Sequence, residues 1–291
     1  MSQKTRISSL IVVVILHSIF DCFGQQRSHI QKDSLFLNHL LDTQQYKEAL
    51  LFMQVLPYKS SQNLEIPYNK GFAFYNLKQL DSSAFYFEKV FKSSPNYLKS
   101  SFYEGLSLTY LDRRFSAKNA FQKVASDDSL ILALRTFELS GLALLNRNFN
   151  EFDSLKKIGS DQFFAIQKQQ AFLKSYQEII QKQERKSATK AAVLSAIVPG
   201  LGKIYAGQLG QGIAGFLQNA VFGFQAIEAY KKDGLASTRT IVYGGLFSLF
   251  YIGNIWGSAL SVKIKRQEFN DKTNEQIRFD MHIPIRTIFN Q

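Results

Sequence analysis

Two stretches of this chain are free of charge: no Asp, Glu, Lys or Arg occurs from Ile204 to Ile227 or from Ile241 to Val262. A helix of about 20 residues crosses a hydrocarbon core of about 30 Å, and both stretches are long enough. Lys231-Lys232-Asp233-Gly234 lies between them, and Lys263, Lys265 and Arg266 follow the second, which contains Tyr251 and Trp256. These features predict a transmembrane helical hairpin with spans at about 208–229 and 241–262. Glu228 then falls at the end of a span, as an interfacial residue near Lys231 or, alternatively, as a proton or ion site.

Glycine sharpens this reading. Twelve of the 17 glycines lie between Gly200 and Gly257. In water each would weaken a helix by up to about 1 kcal/mol. In lipid, small residues permit the close backbone approach that replaces a hydrophobic drive, and Gly253-x-x-x-Gly257 has the form of such a contact face. Ahead of the hairpin, Ala191–Val198 is too short to cross and Pro199 ends it, so a short interfacial or re-entrant piece with a glycine loop is expected. The residues Pro199, Gly200, Gly202, Tyr205, Gly207 and Gly212, with Gly253, Asn254 and Gly257 in the last helix, resemble a glycine-rich two-helix membrane domain of bacterial envelope proteins. The resemblance covers about 195–266 and implies location without mechanism. A phosphate loop is excluded at Gly200-x-Gly202-Lys203, because Ile197 and Ile204 stand where a Walker loop needs glycine and Ser or Thr.

A second pattern occupies the first half. Gly71 and Gly105 are 34 residues apart, and the same step links Ala49, Ser83 and Ala117. It also links Met53, Phe87 and Phe121, then Leu56, Val90 and Val124, and finally Leu40, Phe74 and Leu108. Within a unit, Gly71 and Phe74 share one helix, while Ser83, Phe87 and Val90 form the apolar stripe of a second that Pro95 stops. Such a pair cannot bury its face alone, so neighbours must stack.

Gly71, Phe74, Ser83, Phe87, Val90 and Pro95, with Gly105, Ala117 and Phe121 in the next unit, resemble the tetratricopeptide repeat (TPR) family. Units fall at about 30–63, 64–97 and 98–131, with a degraded fourth to about 165. The resemblance implies a right-handed superhelix whose concave face binds peptides or partner proteins, without catalysis. Tyr68, Tyr75, Tyr103 and Tyr110, off the repeating columns, are the candidate partner-binding residues.

The remaining segments complete the organisation. Lys4 and Arg6, the apolar run Ile7–Phe20 and Gly24 have the order of a secretory signal peptide, 1–24. Cleavage after Gly24 would remove Cys22, the single cysteine, and with it any disulfide or thiol chemistry. Residues 166–190 form a connecting, capping helix with a stripe at Phe172, Tyr176, Ile179 and Ile180 and a basic end, Lys182–Lys190, beside the membrane domain of 191–266. A polar tail, 267–291, follows, in which Ile277–Ile283 alternates like a strand. A cleaved signal places the repeats outside the cytoplasm, whereas basic collars favour the cytoplasmic face, so the two rules conflict over orientation.

The expected fold class is therefore all-α: a TPR-like helical-repeat solenoid followed by a transmembrane helical hairpin. His17, His29, His39 and His282 are scattered, and the sequence predicts no catalytic residue, cofactor or metal. The expected function is a non-enzymatic, exported TPR-like scaffold in the bacterial cell envelope, at the inner membrane with periplasmic repeats. Its partners are proteins or peptides, the lipid bilayer and a second copy through the hairpin. The alternative is a membrane-active pore, transport or insertion factor whose hairpin oligomerises. Nucleic acid is not an expected partner despite the net charge of +12, because export removes it.

Overall fold

The computed structural model describes residues 31–56, 65–158 and 163–289, and every regular element among them is a helix. The signal peptide expected at 1–24 lies outside the described residues. The described residues form two compact units, one made of those within 31–142, 154–166 and 281–289, the other of those within 143–153 and 167–280.

Four helix pairs follow one another: α1 (31–42) with α2 (Tyr46–Val55), α3 (Ile66–Asn76) with α4 (Leu80–Glu88), α5 (Tyr97–Tyr110) with α6 (Arg114–Gln122), and α7 (Ser129–Leu145) with α8 (Phe149–Lys157). The turn within each pair places one non-glycine residue in the left-handed region: Gln44 (φ 59°), Lys78 (61°), Asp112 (59°) and Arg147 (57°). The same hydrogen bond closes every turn, Gln45 N to Leu40 O at 2.8 Å, and Gln79 to Phe74, Arg113 to Leu108 and Asn148 to Ala143 at 2.9 Å. This six-to-one bond satisfies a carbonyl that the helix end would otherwise leave unpaired. The period read from side chains is thus repeated by the backbone, with one extra residue before Arg147.

The columns interlock as their spacing requires. A Cβ built on Gly71 would lie 2.7 Å from Phe87 Cδ1, and one on Gly105 would lie 2.7 Å from Phe121 Cδ1. Each glycine therefore makes the room its aromatic partner fills on the following helix. Ala49, Ser83 and Ala117 are fully buried, and the Ser83 hydroxyl donates to Gly71 O at 3.1 Å. Phe74 is half-buried and stacks on Tyr86 at 5.4 Å. Val90 is buried but lies beyond its helix, and Pro95 does not stop α4. That helix ends at Glu88, where Lys89 N and Val90 N bond to Tyr86 O and Phe87 O in a tightened last turn. Pro95 instead precedes α5.

The second unit begins in the α7–α8 turn and continues with α9 (Phe164–Glu184), α10 (Ala188–Ile197), α11 (Leu201–Tyr205), α12 (Leu209–Asp233) and α13 (Thr238–Phe289). The continuous helix expected over 166–190 is interrupted, because the Ser187 hydroxyl accepts from Lys190 N at 3.3 Å and starts a new helix. The stripe along α9 agrees with the expected one at Ile180 and lies one step from it at Phe172 and Ile179. Ile166, Leu173 and Ile180 are fully buried, while Phe172 and Ile179 are about two-fifths exposed. Tyr176 OH donates to Asp280 Oδ2 at 2.7 Å.

Residues 267–289, expected as a polar tail with a strand-like pattern, continue α13 as helix. Ile277, Met281 and Ile285 are fully buried at a step of four, so the apparent alternation is one helical face. Of the described helices, α13 alone is long and apolar enough to cross a membrane. The expected first span is the 25-residue α12, whose Gln211, Gln218, Asn219 and Gln225 lower its apolarity.

Replacing Gly105 by Val should destabilise the repeats by about 1–3 kcal/mol, since the Phe121 ring is enclosed and cannot retreat. Gly210→Ala, where a Cβ meets nothing within 4 Å, should leave stability nearly unchanged. Thermal unfolding of the full-length protein in detergent compares the two; equal midpoints would contradict the interlock.

Candidate functional site

The first unit closes its inner face with its own chain. Tyr75 on α3 makes edge contacts with Tyr103 at 5.0 Å and with His282 at 5.8 Å. Phe102 on α5 packs on Phe289 at 5.5 Å, and Lys99 donates to Phe289 O at 3.2 Å. Met281 Cγ would stand 2.7 Å from a Cβ on Gly141 of α7. Segment 281–289 therefore lies against the first helices of three successive pairs. Of the four tyrosines singled out as partner-binding, Tyr75 and Tyr103 are buried there, while Tyr68 and Tyr110 are half-buried. The signal that marks the segment is the four-residue step Ile277, Met281, Ile285, Phe289.

Several titratable groups lie away from their ordinary values. Glu138 on α7 is fully buried, and neither carboxylate oxygen finds a hydrogen-bond partner among the described residues. Burial raises its pKa well above the ordinary glutamate value of 4.5. The Tyr75 phenol is pushed up by burial, then by the nearby Tyr110, Tyr103 and Glu138. His282 is pushed down by burial and by the positive charges of Arg286 and Lys78. Asp280 is raised by burial, against its bond from Tyr176 and the charge of Lys168. Glu104, nearly buried, is raised by desolvation although Lys123 stands 3.6 Å away.

In the second unit the structure brings the glycine-rich residues together. Gly200 (φ 91°) turns the chain after Pro199, and any Cβ there would run into the Gly212 carbonyl. Gly202 lies against Ala191 O, and a Cβ on it would stand 2.6 Å from Ser195 Oγ and 2.7 Å from Ser258 Cβ. Gly202 N donates to Ser195 Oγ at 2.9 Å, and the two serine hydroxyls are 2.7 Å apart. Tyr251 OH donates to Ala196 O, and Tyr205 OH accepts from Ser187 N at 3.1 Å. Helix α10 and the short α11 thus form a folded-back pair, its Pro199-Gly200 tip held beside α12 and its two limbs against α13.

The hairpin helices pair in opposite directions, Phe222 stacking on Phe250 at 5.0 Å and Gly215 lying beneath the Asn254 carboxamide at 3.1 Å. Gly207 (φ 94°) turns into α12 with open space around it. Gly253 also faces open space, while Gly257 faces Lys203 Cε of α11 at 3.6 Å, so only the Gly257 end of the Gly253-x-x-x-Gly257 face is covered among the described residues. Glu228 pairs with Lys232 at 2.7 Å on the surface. Buried here are Gly, Ser and Asn, including Asn219, Asn254 and Ser258. Exposed are Ile213, Phe216, Val221, Phe224, Leu249, Ile252 and Trp256. No group of three or more His, Cys, Asp or Glu suited to a metal occurs among the described residues.

Comparison with protein families, with curated proteins and with solved structures returns no match.

Glu138 and His282 respond to acid in opposite directions. A raised carboxyl pKa means the folded state holds its proton more tightly, so the Glu138 contribution falls as pH rises from 4.5 through the raised native value. Glu138→Gln should therefore raise the thermal midpoint at pH 8, by about 2–4 °C per kcal/mol recovered, with the gain shrinking towards pH 4.5. A lowered histidine pKa acts the other way: stability present above 6.5 is lost as pH falls through the lower native value. Hydrogen exchange across 281–289, corrected for intrinsic rates, should accelerate on acidification in the wild type and less in His282→Gln.

Proposed function

We propose that this chain is a non-enzymatic, membrane-anchored scaffold of the bacterial cell envelope, whose TPR-like repeats face the periplasm and bind partner proteins. The observation that carries this reading is the polarity of the second unit. From α10 to the first half of α13 the interior collects small and polar residues, while Phe216, Val221, Phe224, Leu249, Ile252 and Trp256 point outward from two long helices. In water such a continuous apolar surface invites aggregation, whereas lipid solvates it and leaves polar side chains to pair inside. The reading takes α12 and the first half of α13 as a hairpin in the bilayer and α10–α11 as a re-entrant pair, the arrangement lipid tolerates where irregular backbone is covered by protein.

Support for the scaffold role comes from four helix pairs with one turn geometry, and from a first unit whose inner face accepts a helical segment. Segment 281–289 shows what that face accommodates: an amphipathic helix with large apolar side chains four residues apart. A partner using this face has to displace it.

The test is cross-linking of the intact protein in native membranes, with identification of captured proteins. A specific protein should be captured, and should be lost when residues 30–165 are deleted. An unchanged capture profile after that deletion would overturn the scaffold role. Alkaline carbonate should leave the full-length chain in the membrane pellet; its release would overturn the anchor.

A further inference from the structure

The second unit holds a cavity of about 460 Å³ that the scaffold role does not use. Lys203, Gln218, Asn219 and Asn254 line it together with Leu249 and Phe250, and no acidic side chain does. Asn254 is 5 % exposed, yet neither its Nδ2 nor its Oδ1 has a partner among the described residues. Asn219 is 2 % exposed; its Nδ2 donates to Gly215 O at 2.8 Å, but its Oδ1 is unpartnered. Buried carboxamides without partners cost about 1–3 kcal/mol each. The wholly unpartnered Asn254 and the free Asn219 Oδ1 in one pocket, beside an ammonium with no counter-charge lining it, describe a site whose complement is a ligand.

The groups are graded along α13. Lys203 lies across Gly257, its Nζ 3.9 Å from the position of a Cβ there, on the side of Lys263, Lys265 and Arg266. Asn254 and Asn219 come next, and Leu249 and Phe250 lie furthest in. Gly253 leaves open space between them, and Leu249 and Ile252 on the rim are 66 % and 56 % exposed. Cation, then carboxamide, then hydrocarbon is the order in which a glycerophospholipid presents phosphate, ester and acyl chain when it enters from the nearer surface. We propose that this pocket binds one anionic glycerophospholipid, its phosphate on Lys203, its ester oxygens within reach of the Asn254 and Gln218 amides, and its chain along Gly253 towards Leu249. This inference rests on the membrane reading of α12 and α13.

Trp256 is the one tryptophan of the chain, 78 % exposed, and three residues beyond Gly253. It reports on the pocket without a label. Full-length protein is reconstituted in phosphatidylcholine vesicles containing increasing fractions of brominated phosphatidylglycerol or brominated phosphatidylcholine, and quenching of Trp256 is followed. The brominated anionic lipid should quench at a mole fraction lower by roughly five-fold, the effect of one basic residue on an anionic lipid. Lys203→Ala should abolish the preference, Lys203→Arg should retain it, and Gly253→Leu should remove it by filling the trough. Lys265→Ala, which changes the charge outside the pocket, should leave it in place. Inorganic phosphate added to zwitterionic vesicles should not alter the emission.

Equal quenching by the two lipids overturns the proposal, as does a preference that Lys203→Ala leaves intact or that Lys265→Ala removes equally. An emission change with phosphate alone, without lipid preference, assigns the pocket to a free anion and overturns the lipid. Protein that floats with the vesicles after carbonate but shows no preference sinks only this inference, whereas protein that does not float sinks the membrane reading beneath it.

Discussion

The second unit depends on a polarity that runs the wrong way for water. From α10 to the first half of α13 its close contacts are made by glycine, serine and asparagine, and most of the bulky apolar side chains there point away from them. Gly202 against Ala191 O and Ser258, and Gly200 against the Gly212 carbonyl, bring backbones together where any side chain would hold them apart. With apolar solvent outside, such contacts are gained through packing and hydrogen bonding, as between Ser195 and Ser258. The break after Ile197, the left-handed Gly200 and the short α11 are all consequences of folding one chain segment back within that tight space.

The first unit obeys the ordinary rule, with aromatic side chains inside. Its regularity comes from two local devices that recur together. One is the glycine that admits a phenylalanine from the next helix; the other is the left-handed turn residue with its six-to-one hydrogen bond. Gln44, Lys78, Asp112 and Arg147 take that conformation without being glycine, at a cost that the closing bond offsets. The burial of Glu138, without a hydrogen-bond partner among the described residues, works against this stability.

What was legible in the sequence was local. The 34-residue step exposed the glycine–aromatic pairs because both partners lie within one unit, and the concentration of glycine exposed the folded-back pair because Pro199 and its neighbours act through backbone geometry. The errors came from phase and from distance. On α9 a count of large side chains selected Ile180 correctly but also Phe172 and Ile179, whereas the buried line runs through Ile166, Leu173 and Ile180, with Gln170 among them. Short alternation at 277–283 resembled a strand only because the four-residue step was sampled over too few residues. No local pattern reveals that His282 meets Tyr75 or that Phe289 meets Phe102, since those contacts join residues some two hundred positions apart. The unpartnered Asn254 was visible only as part of a motif, because a missing hydrogen bond is a property of three dimensions.

The contact of 281–289 with the repeats also bears on how the protein is made. Residues that leave the ribosome after the whole hydrophobic portion has emerged are needed to cover aromatic side chains made near the beginning. Until then Tyr75 and Phe102 lack that cover, and the early-synthesised helices persist as an incompletely packed intermediate. A nascent chain of this design postpones its final consolidation until its last helical turns are made.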